Sequence, residues 1–421
     1  MIDYDTKLLY LMRIAGGLSA GAQITLKEDV NPQALYDAVQ KSRRRYPYLF
    51  TQVEIEDETY VLVDNPRPLP VLPASDPLPD MGSEEMNGHL LSVYYEGGDV
   101  YFMVLHNLGG AVGFKNWALS VIYQYIMDTQ GVEPEWPSVR KPYEDPLPEE
   151  GFVGRKVPNT PDTPPTFEGF ADEVNPISTR EMSALLPGSG ERGEFLTQIS
   201  IPLRTFVPRM RECGATPSVY TAALLFKAAS RVLPDIPAWT NMALANDISA
   251  DFGLSPSMSL LTKFLNLVYS REDAALPIPE LCKKGRVLMD AQKDPGLNAA
   301  YLREEIRVLE DMERAATLEE KASVYLQQSI ILDVTPSMLV SYVGRFEDPT
   351  YEKYLDDIWI RANNAQGSIL LNSFYDHMNL SFYHQYRKDP LRDALADILF
   401  EEGLEPSIGE PVAELIPTMS L

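Results

Sequence analysis

One histidine lies between an apolar run and a glycine-rich turn, a position that suits a catalytic side chain. Residues 100–105 are largely apolar, and His106 follows them directly. A rigid strand fixes the orientation of a side chain at its end, and the loop that follows leaves this side chain accessible. The loop contains Asn107, Gly109, Gly110 and Gly113. Because the chain has four histidines in all, this placement is informative, and we interpret His106 as the candidate catalytic residue.

An imidazole at this position can act as a general base without a partner nucleophile if the acyl donor is already activated, as a thioester is. It needs only a neutral ring nitrogen within hydrogen-bond reach of the attacking hydroxyl or amine. A purely structural role is the alternative at this point, since a lone histidine near a strand end is often structural. The glycine spacing fits neither a P-loop nor a dinucleotide-binding fingerprint, so we do not predict a phosphate loop.

The elements that must position His106 are a strand before it and a helix after it. The apolar run of residues 100–105 predicts the strand, and the amphipathic stretch 114–126 predicts the helix. Asn31-Pro32 combines a favourable N-cap with proline at the first helical position, which predicts another helix upstream.

The second half of the chain shows the same kinds of signal. Thr216-Pro217 predicts a helix start, and Gly214 predicts the end of the helix before it. Further strands are predicted over residues 194–201, 238–245, 265–269, 338–342 and 368–383. Strands and helices thus alternate in both halves, which predicts an α/β (α+β) protein with mixed sheets and packed helices.

Length and composition predict two lobes. A chain of 421 residues exceeds what one ordinary core accommodates. Prolines recur every few residues between 134 and 165, which is typical of a linker or crossing segment. We therefore predict an N-terminal lobe of residues 1–165, which carries the histidine motif and ends in this crossover, and a C-terminal lobe of residues 166–421.

Charge and cysteine content exclude several classes of protein. The formal net charge of −25 would repel a nucleic-acid backbone, and we interpret the basic run of residues 41–45 as a solvated helix end. No apolar run approaches the roughly 20 residues that span a bilayer. Two cysteines form neither a disulfide framework nor a zinc cluster. We predict a cytoplasmic protein with no nucleic-acid partner, membrane span or metal.

The histidine loop resembles the central motif of the CoA-dependent acyltransferase superfamily. That superfamily includes chloramphenicol acetyltransferase, peptide-synthetase condensation domains, alcohol acetyltransferases and polyketide-associated acyltransferases. Its motif is a histidine, three further residues and Asp-Gly, often with another glycine two residues on. Here His106 and Gly113 match, whereas Gly110 replaces the aspartate and Ala111 replaces its glycine. Similar stretches occur in the family's order at residues 30–35, 45–49, 214–220, 246–268 and 341–345.

The resemblance implies two chloramphenicol-acetyltransferase-like lobes with a tunnel between them and the histidine at its middle. It implies transfer of an acyl group from CoA or a carrier-protein thioester to an alcohol or amine, without an acyl-enzyme. His106 would be the base, and Asn246, Ser341 and Tyr342 are candidates for polar groups near the tunnel. The family members imply a monomer with no bound cofactor, CoA or a pantetheine thioester being a co-substrate.

The replaced aspartate supports a second hypothesis. In the family this aspartate pairs with an arginine and holds the histidine loop. The loop after the strand at 238–245 here reads Asp247-Ile248-Ser249-Ala250, without that arginine. Loss of both partners is less harmful than loss of one, because a lone buried charge is costly. The alternative is therefore a catalytically silent relative that binds a carrier or partner protein.

Overall fold

The computed structural model describes residues 2–16, 18–75, 77–147, 150–151, 174–254, 257–332, 336–363, 367–414 and 417–419. Its helices are α1 (Lys7–Ala15), α2 (Pro32–Ser42), α3 (Ala111–Gln130), α4 (Thr179–Leu185), α5 (Leu203–Glu212), α6 (Pro217–Val232), α7 (Ile278–Gln292), α8 (Pro295–Glu313), α9 (Leu318–Leu332), α10 (Tyr351–Tyr354) and α11 (Pro390–Glu401). Its strands are β1 (Ser19–Leu26), β2 (Thr51–Glu56), β3 (Thr59–Asp64), β4 (Val71–Pro73), β5 (Leu91–Glu96), β6 (Asp99–Leu105), β7 (Ser189–Pro202), β8 (Trp239–Asp247), β9 (Thr262–Ser270), β10 (Met338–Phe346), β11 (Leu355–Ala362), β12 (Ser368–Phe374), β13 (His377–Lys388), β14 (Ser407–Ile408) and β15 (Val412–Ala413).

The first sheet has the strand order β11-β1-β6-β5-β4 and carries the histidine at the end of β6. β1 pairs antiparallel with β6 on one side, with Ala22 opposite Phe102. It pairs antiparallel with β11 on the other side, with Ala22 opposite Ile360. A strand from residues 355–362 therefore completes the sheet that the first half of the chain begins.

The second sheet has the order β14-β7-β13-β12-β10-β8-β9, and β15 also pairs with β7. It is mixed, because β10 runs parallel to both β8 and β12 while β12 and β13 are antiparallel. The strand predicted over residues 368–383 is wrong as a single strand. It is two strands, β12 and β13, and Tyr375 turns the chain between them with a φ of +49°.

Besides a two-stranded sheet of β2 and β3, the structure has these two larger sheets, and each packs around a large apolar core. The first sheet packs against α2 and α3, and its core includes Ile24, Phe102, Leu35, Trp117 and Val121, all nearly inaccessible to water. The second sheet packs against α6, and its core includes Ala222, Phe226, Met242, Ile369 and Leu380. The predicted mixed α/β architecture is confirmed.

The helix starts predicted from local signals are confirmed. The Asn31 side chain accepts a hydrogen bond from the Ala34 N–H at 3.1 Å. Thr216 does the same for the Val219 N–H at 3.3 Å. Gly214 follows α5 with a φ of +62°, the left-handed conformation that commonly ends a helix.

Two elements near the histidine were not predicted, α1 and β11. The N-terminal helix α1 packs against α9 and is attached to α8 by an ion pair between Lys7 and Glu305, both nearly buried. The proposed lobe boundary at residue 165 lies outside the described residues and stays a prediction. Within the described part of the chain, no helix combines the length and apolar character required to cross a membrane.

Candidate active site

His106 lies where the first sheet ends and α3 is about to begin. Its backbone N–H donates to the Leu18 carbonyl at 2.8 Å, which ties the turn to the residue before β1. Residues His106–Leu108 form one short 3-10 turn, and α3 starts at Ala111. The predicted strand, turn and helix around the histidine are therefore confirmed.

The histidine ring is oriented by its own loop. Nδ1 lies 3.1 Å from the Gly109 carbonyl oxygen. A carbonyl only accepts, so Nδ1 carries the hydrogen and Nε2 keeps a lone pair. The residue is half-buried, and burial lowers the pKa of His106 below its usual 6.5 because it penalises the charged ring. A neutral imidazole with a free Nε2 lone pair is the form that a general base requires.

The glycines of the loop leave room for a segment from the other half of the chain. A Cβ atom built on Gly109 would lie 3.0 Å from the Met258 carbonyl oxygen, and one on Gly113 would lie 2.5 Å from the Met258 methyl group. A Cβ atom on Gly110 would lie 3.2 Å from a methyl group of Leu260. The connection between β8 and β9 therefore closes over the histidine loop.

Gly110 has a second role as the N-cap of α3. Its φ of −85° and ψ of −176° are extended, and its carbonyl accepts from the Gly113 and Phe114 N–H groups. Glycine is an acceptable N-cap and is less favourable than aspartate by only a few tenths of a kcal/mol. Glycine at position 110 therefore costs the helix little compared with aspartate.

Asn107, the residue after the histidine, is buried against the N-terminal segment of the chain. Its side chain is 2% exposed, and its amide nitrogen and oxygen have no hydrogen-bond partner among the described residues. It shares a small cavity with neighbours from the N-terminal segment and from the loop after β8. The cavity is lined by Tyr4, Asp5, Lys7, Leu8, Asn107 and Leu260. The segment before β1 therefore lies directly against the histidine turn.

The three residues suggested as polar groups near the tunnel lie on the second sheet. Ser341 and Tyr342 are neighbours on β10, so their side chains point to opposite faces. Tyr342 packs against the second core, and its hydroxyl lies 3.4 Å from the Ser373 hydroxyl. Asn246 is half-buried and pairs with Lys263 on β9. Ser341 and Tyr342 therefore lie on different faces of β10, and the assignment of the three residues to the site stays a prediction.

The residues that cover the loop, Met258 and Leu260, were missed by the sequence analysis. Closely spaced glycines indicate that something approaches, but they do not identify it. Ile248, Met258 and Leu261 all belong to the first core although they lie between strands of the second sheet. Among the described residues, no group of three or more His, Cys, Asp or Glu could hold a metal.

Neither a scan against protein-family models nor a search of curated proteins gives a match for this chain. Solved structures do match over nearly the whole length. Trichothecene 15-O-acetyltransferase TRI3 from Fusarium sporotrichioides is 11% identical, with a TM-score of 0.58 and coverage of 95% of this chain and 94% of that one. The first condensation domain of the calcium-dependent antibiotic synthetase, in complex with substrate analogue 3a, is 10% identical, with a TM-score of 0.58 and coverage of 96% and 95%.

A third structure contains coenzyme A. TRI101 of F. sporotrichioides, complexed with coenzyme A and T-2, is 11% identical, with a TM-score of 0.54 and coverage of 97% of this chain and 99% of that one. At these identities the likeness concerns the fold. The chain has the fold of CoA-dependent acyltransferases and condensation domains, as the histidine motif predicted.

Proposed function

We propose that this protein transfers an acyl group from a CoA or carrier-protein thioester to an alcohol or amine, with His106 as the general base. One observation carries the proposal. The hydrogen bond from Nδ1 to the Gly109 carbonyl places the hydrogen of the neutral ring on Nδ1 and the lone pair on Nε2, at the end of a strand. The fold it shares with an O-acetyltransferase and a coenzyme A complex supports this class of reaction.

The proposed step uses one proton and one tetrahedral intermediate. Nε2 takes the proton from the acceptor hydroxyl or amine while the acceptor oxygen or nitrogen attacks the thioester carbonyl. The intermediate collapses with cleavage of the carbon–sulfur bond, and the Nε2 proton goes to the departing thiolate. The products are the ester or amide and the free thiol, and no acyl group is attached to the enzyme. The tunnel by which both substrates reach His106 is part of this proposal.

The test is release of free thiol from a panel of thioesters and acceptors. Acyl-CoAs of increasing chain length and acyl-loaded carrier proteins are each combined with alcohols and amines. We expect at least one pair to release thiol and form the matching ester or amide, which mass spectrometry would detect. If no pair reacts faster with the protein than with buffer, the proposal fails.

The pH dependence of that reaction follows from the lowered pKa of His106. Protonation removes the lone pair, so kcat/KM falls as the pH drops through the pKa of the free enzyme's histidine. We expect this acid limb below pH 6.5 and a rate near its plateau at pH 7. An acid limb centred above 6.5 would mean that a different group is titrating or that the ring is more exposed.

A catalytically silent protein that binds a carrier or partner is the second candidate. It is favoured by Gly110 in place of the aspartate and by the N-terminal segment that lies against Asn107. Acyl-loaded carrier protein would then bind with the same affinity to wild type and to His106→Ala, and neither would release thiol. Binding that is accompanied by turnover in wild type alone would rule this candidate out.

A further inference from the structure

A buried ion pair involves Glu150, a residue that is hydrogen-bonded to the β8–β9 connection over the histidine loop. Arg45 follows α2 and is 1% exposed, so the prediction of a solvated helix end is wrong for this residue. Its guanidinium pairs with the carboxylate of Glu150, whose side chain is 6% exposed. Arg140 Nε lies 3.2 Å from the other oxygen of that carboxylate. Glu150 is therefore fixed by two cations, one of them inside the protein.

The backbone of the same glutamate holds Met258. The Met258 N–H donates to the Glu150 carbonyl at 3.0 Å. Next to it, the Ser257 hydroxyl donates to the Gly151 carbonyl at 2.8 Å. Two consecutive residues of each segment are thus joined, which fixes the position of the β8–β9 connection relative to α2.

Met258 completes the link to the histidine. Its side chain is 3% exposed and lies over Gly109 and Gly113, where a Cβ atom would meet it. Gly109 supplies the carbonyl that orients the His106 ring. Displacement of Met258 would leave this part of the loop without the surface against which it packs.

We propose that Arg45, Glu150 and Met258 form a positioning relay for His106. The ion pair fixes Glu150, its carbonyl fixes Met258, and Met258 holds the loop whose Gly109 carbonyl sets the direction of Nε2. The three are positioning residues, because none of them contacts the reacting atoms. The effect on rate rests on the proposed function, whereas the effect on the histidine ring does not.

The test therefore measures both the pKa of the His106 ring and the rate of the reaction. NMR titration of the His106 ring, assigned by loss of its signals in His106→Asn, reports its pKa without any substrate. We expect Arg45→Met and Met258→Ala to raise that pKa toward 6.5, because water that enters a loosened loop removes the burial that lowers it, and burial outweighs the Gly109 hydrogen bond that raises it. Misplacement by about 1 Å can cost a hundredfold in rate, so kcat should fall roughly tenfold to a hundredfold with KM little changed. Met258→Leu, which keeps the volume, should behave as wild type.

Two controls separate positioning from general destabilisation. Leu395→Ala removes a fully buried side chain from the second core, and we expect it to lower stability without moving the His106 titration. Arg45→Met combined with Met258→Ala should be no worse than the more damaging single change, because both interrupt one chain of contacts. Met258→Ala tests the relay even if Arg45→Met does not fold.

The relay is overturned if folded Arg45→Met and Met258→Ala leave the His106 titration unchanged, or if Leu395→Ala shifts it equally. A protein that is inactive on every substrate pair but shows the expected titration shifts refutes the proposed function and leaves the relay standing. Activity with unshifted titration refutes the relay alone.

Discussion

Replacing His106 with alanine is expected to reduce kcat/KM for thiol release by about 10²- to 10⁴-fold, the usual contribution of a general base. The loss is expected because the proton-accepting nitrogen belongs to the His106 ring itself. Nδ1 is committed to the Gly109 carbonyl, so Nε2 is the ring nitrogen left to receive a proton. Alanine keeps the backbone N–H that donates to Leu18, so the turn should survive the substitution. The measurement is the initial rate with whichever thioester and acceptor pair reacts fastest with wild type.

His377→Ala is the matched control for that experiment. His377 is also half-buried, but its ring nitrogens lie 2.9 Å from Asp376 and 3.3 Å from Asp357, at the start of β13. Its removal should leave the rate close to that of wild type. Equal rates for His106→Ala and wild type would exclude His106 as the base, whatever the fold.

The second large effect is expected from Lys7→Met, which should lower the free energy of unfolding by about 3–5 kcal/mol. Lys7 is 7% exposed and Glu305 is 5% exposed, and their ion pair joins α1 to α8. The Lys7 ammonium also lies 3.8 Å from the centre of the Tyr4 ring. Removal of the lysine leaves a carboxylate buried without its partner, which accounts for the large cost. Urea unfolding measures it.

Two further variants identify the cause of that loss. Lys7→Met combined with Glu305→Leu should recover most of the stability, because apolar replacement of a buried pair is often neutral or stabilising. Arg307→Met breaks the exposed pair of Arg307 with Glu304 on the same helix and should cost no more than about 1 kcal/mol. If Lys7→Met costs as little as Arg307→Met, the buried pair does not stabilise the N-terminal segment.

Local signals in the sequence predicted much of the fold. The caps at Asn31 and Thr216 and the strand, turn and helix around His106 depend on residues that are near neighbours in the chain. These signals are reliable because the residue itself stabilises the structure: an N-cap side chain bonds the first N–H groups of the helix that follows it. The histidine and its loop were predicted for the same reason.

Contacts between distant parts of the chain could not be predicted in this way. The burial of Lys7 and of Arg45 depends on carboxylates far along the sequence, at Glu305 and Glu150. Nothing local distinguishes these two cations from solvated ones. The glycines after His106 indicated close approach, but the residue that approaches, Met258, was determined only by the packing of two sheets.

The position of β11 in the first sheet has a consequence for synthesis of the protein. β1 and β6 leave the ribosome early, whereas the other neighbour of β1 ends at Ala362. At roughly 5–20 residues per second, translation of the chain between Leu105 and Ala362 takes on the order of tens of seconds. During that interval the hydrogen-bonding groups of β1 that later meet β11 form an open strand edge, the feature through which chains aggregate. This edge of β1 is therefore covered only after β11 has been synthesised.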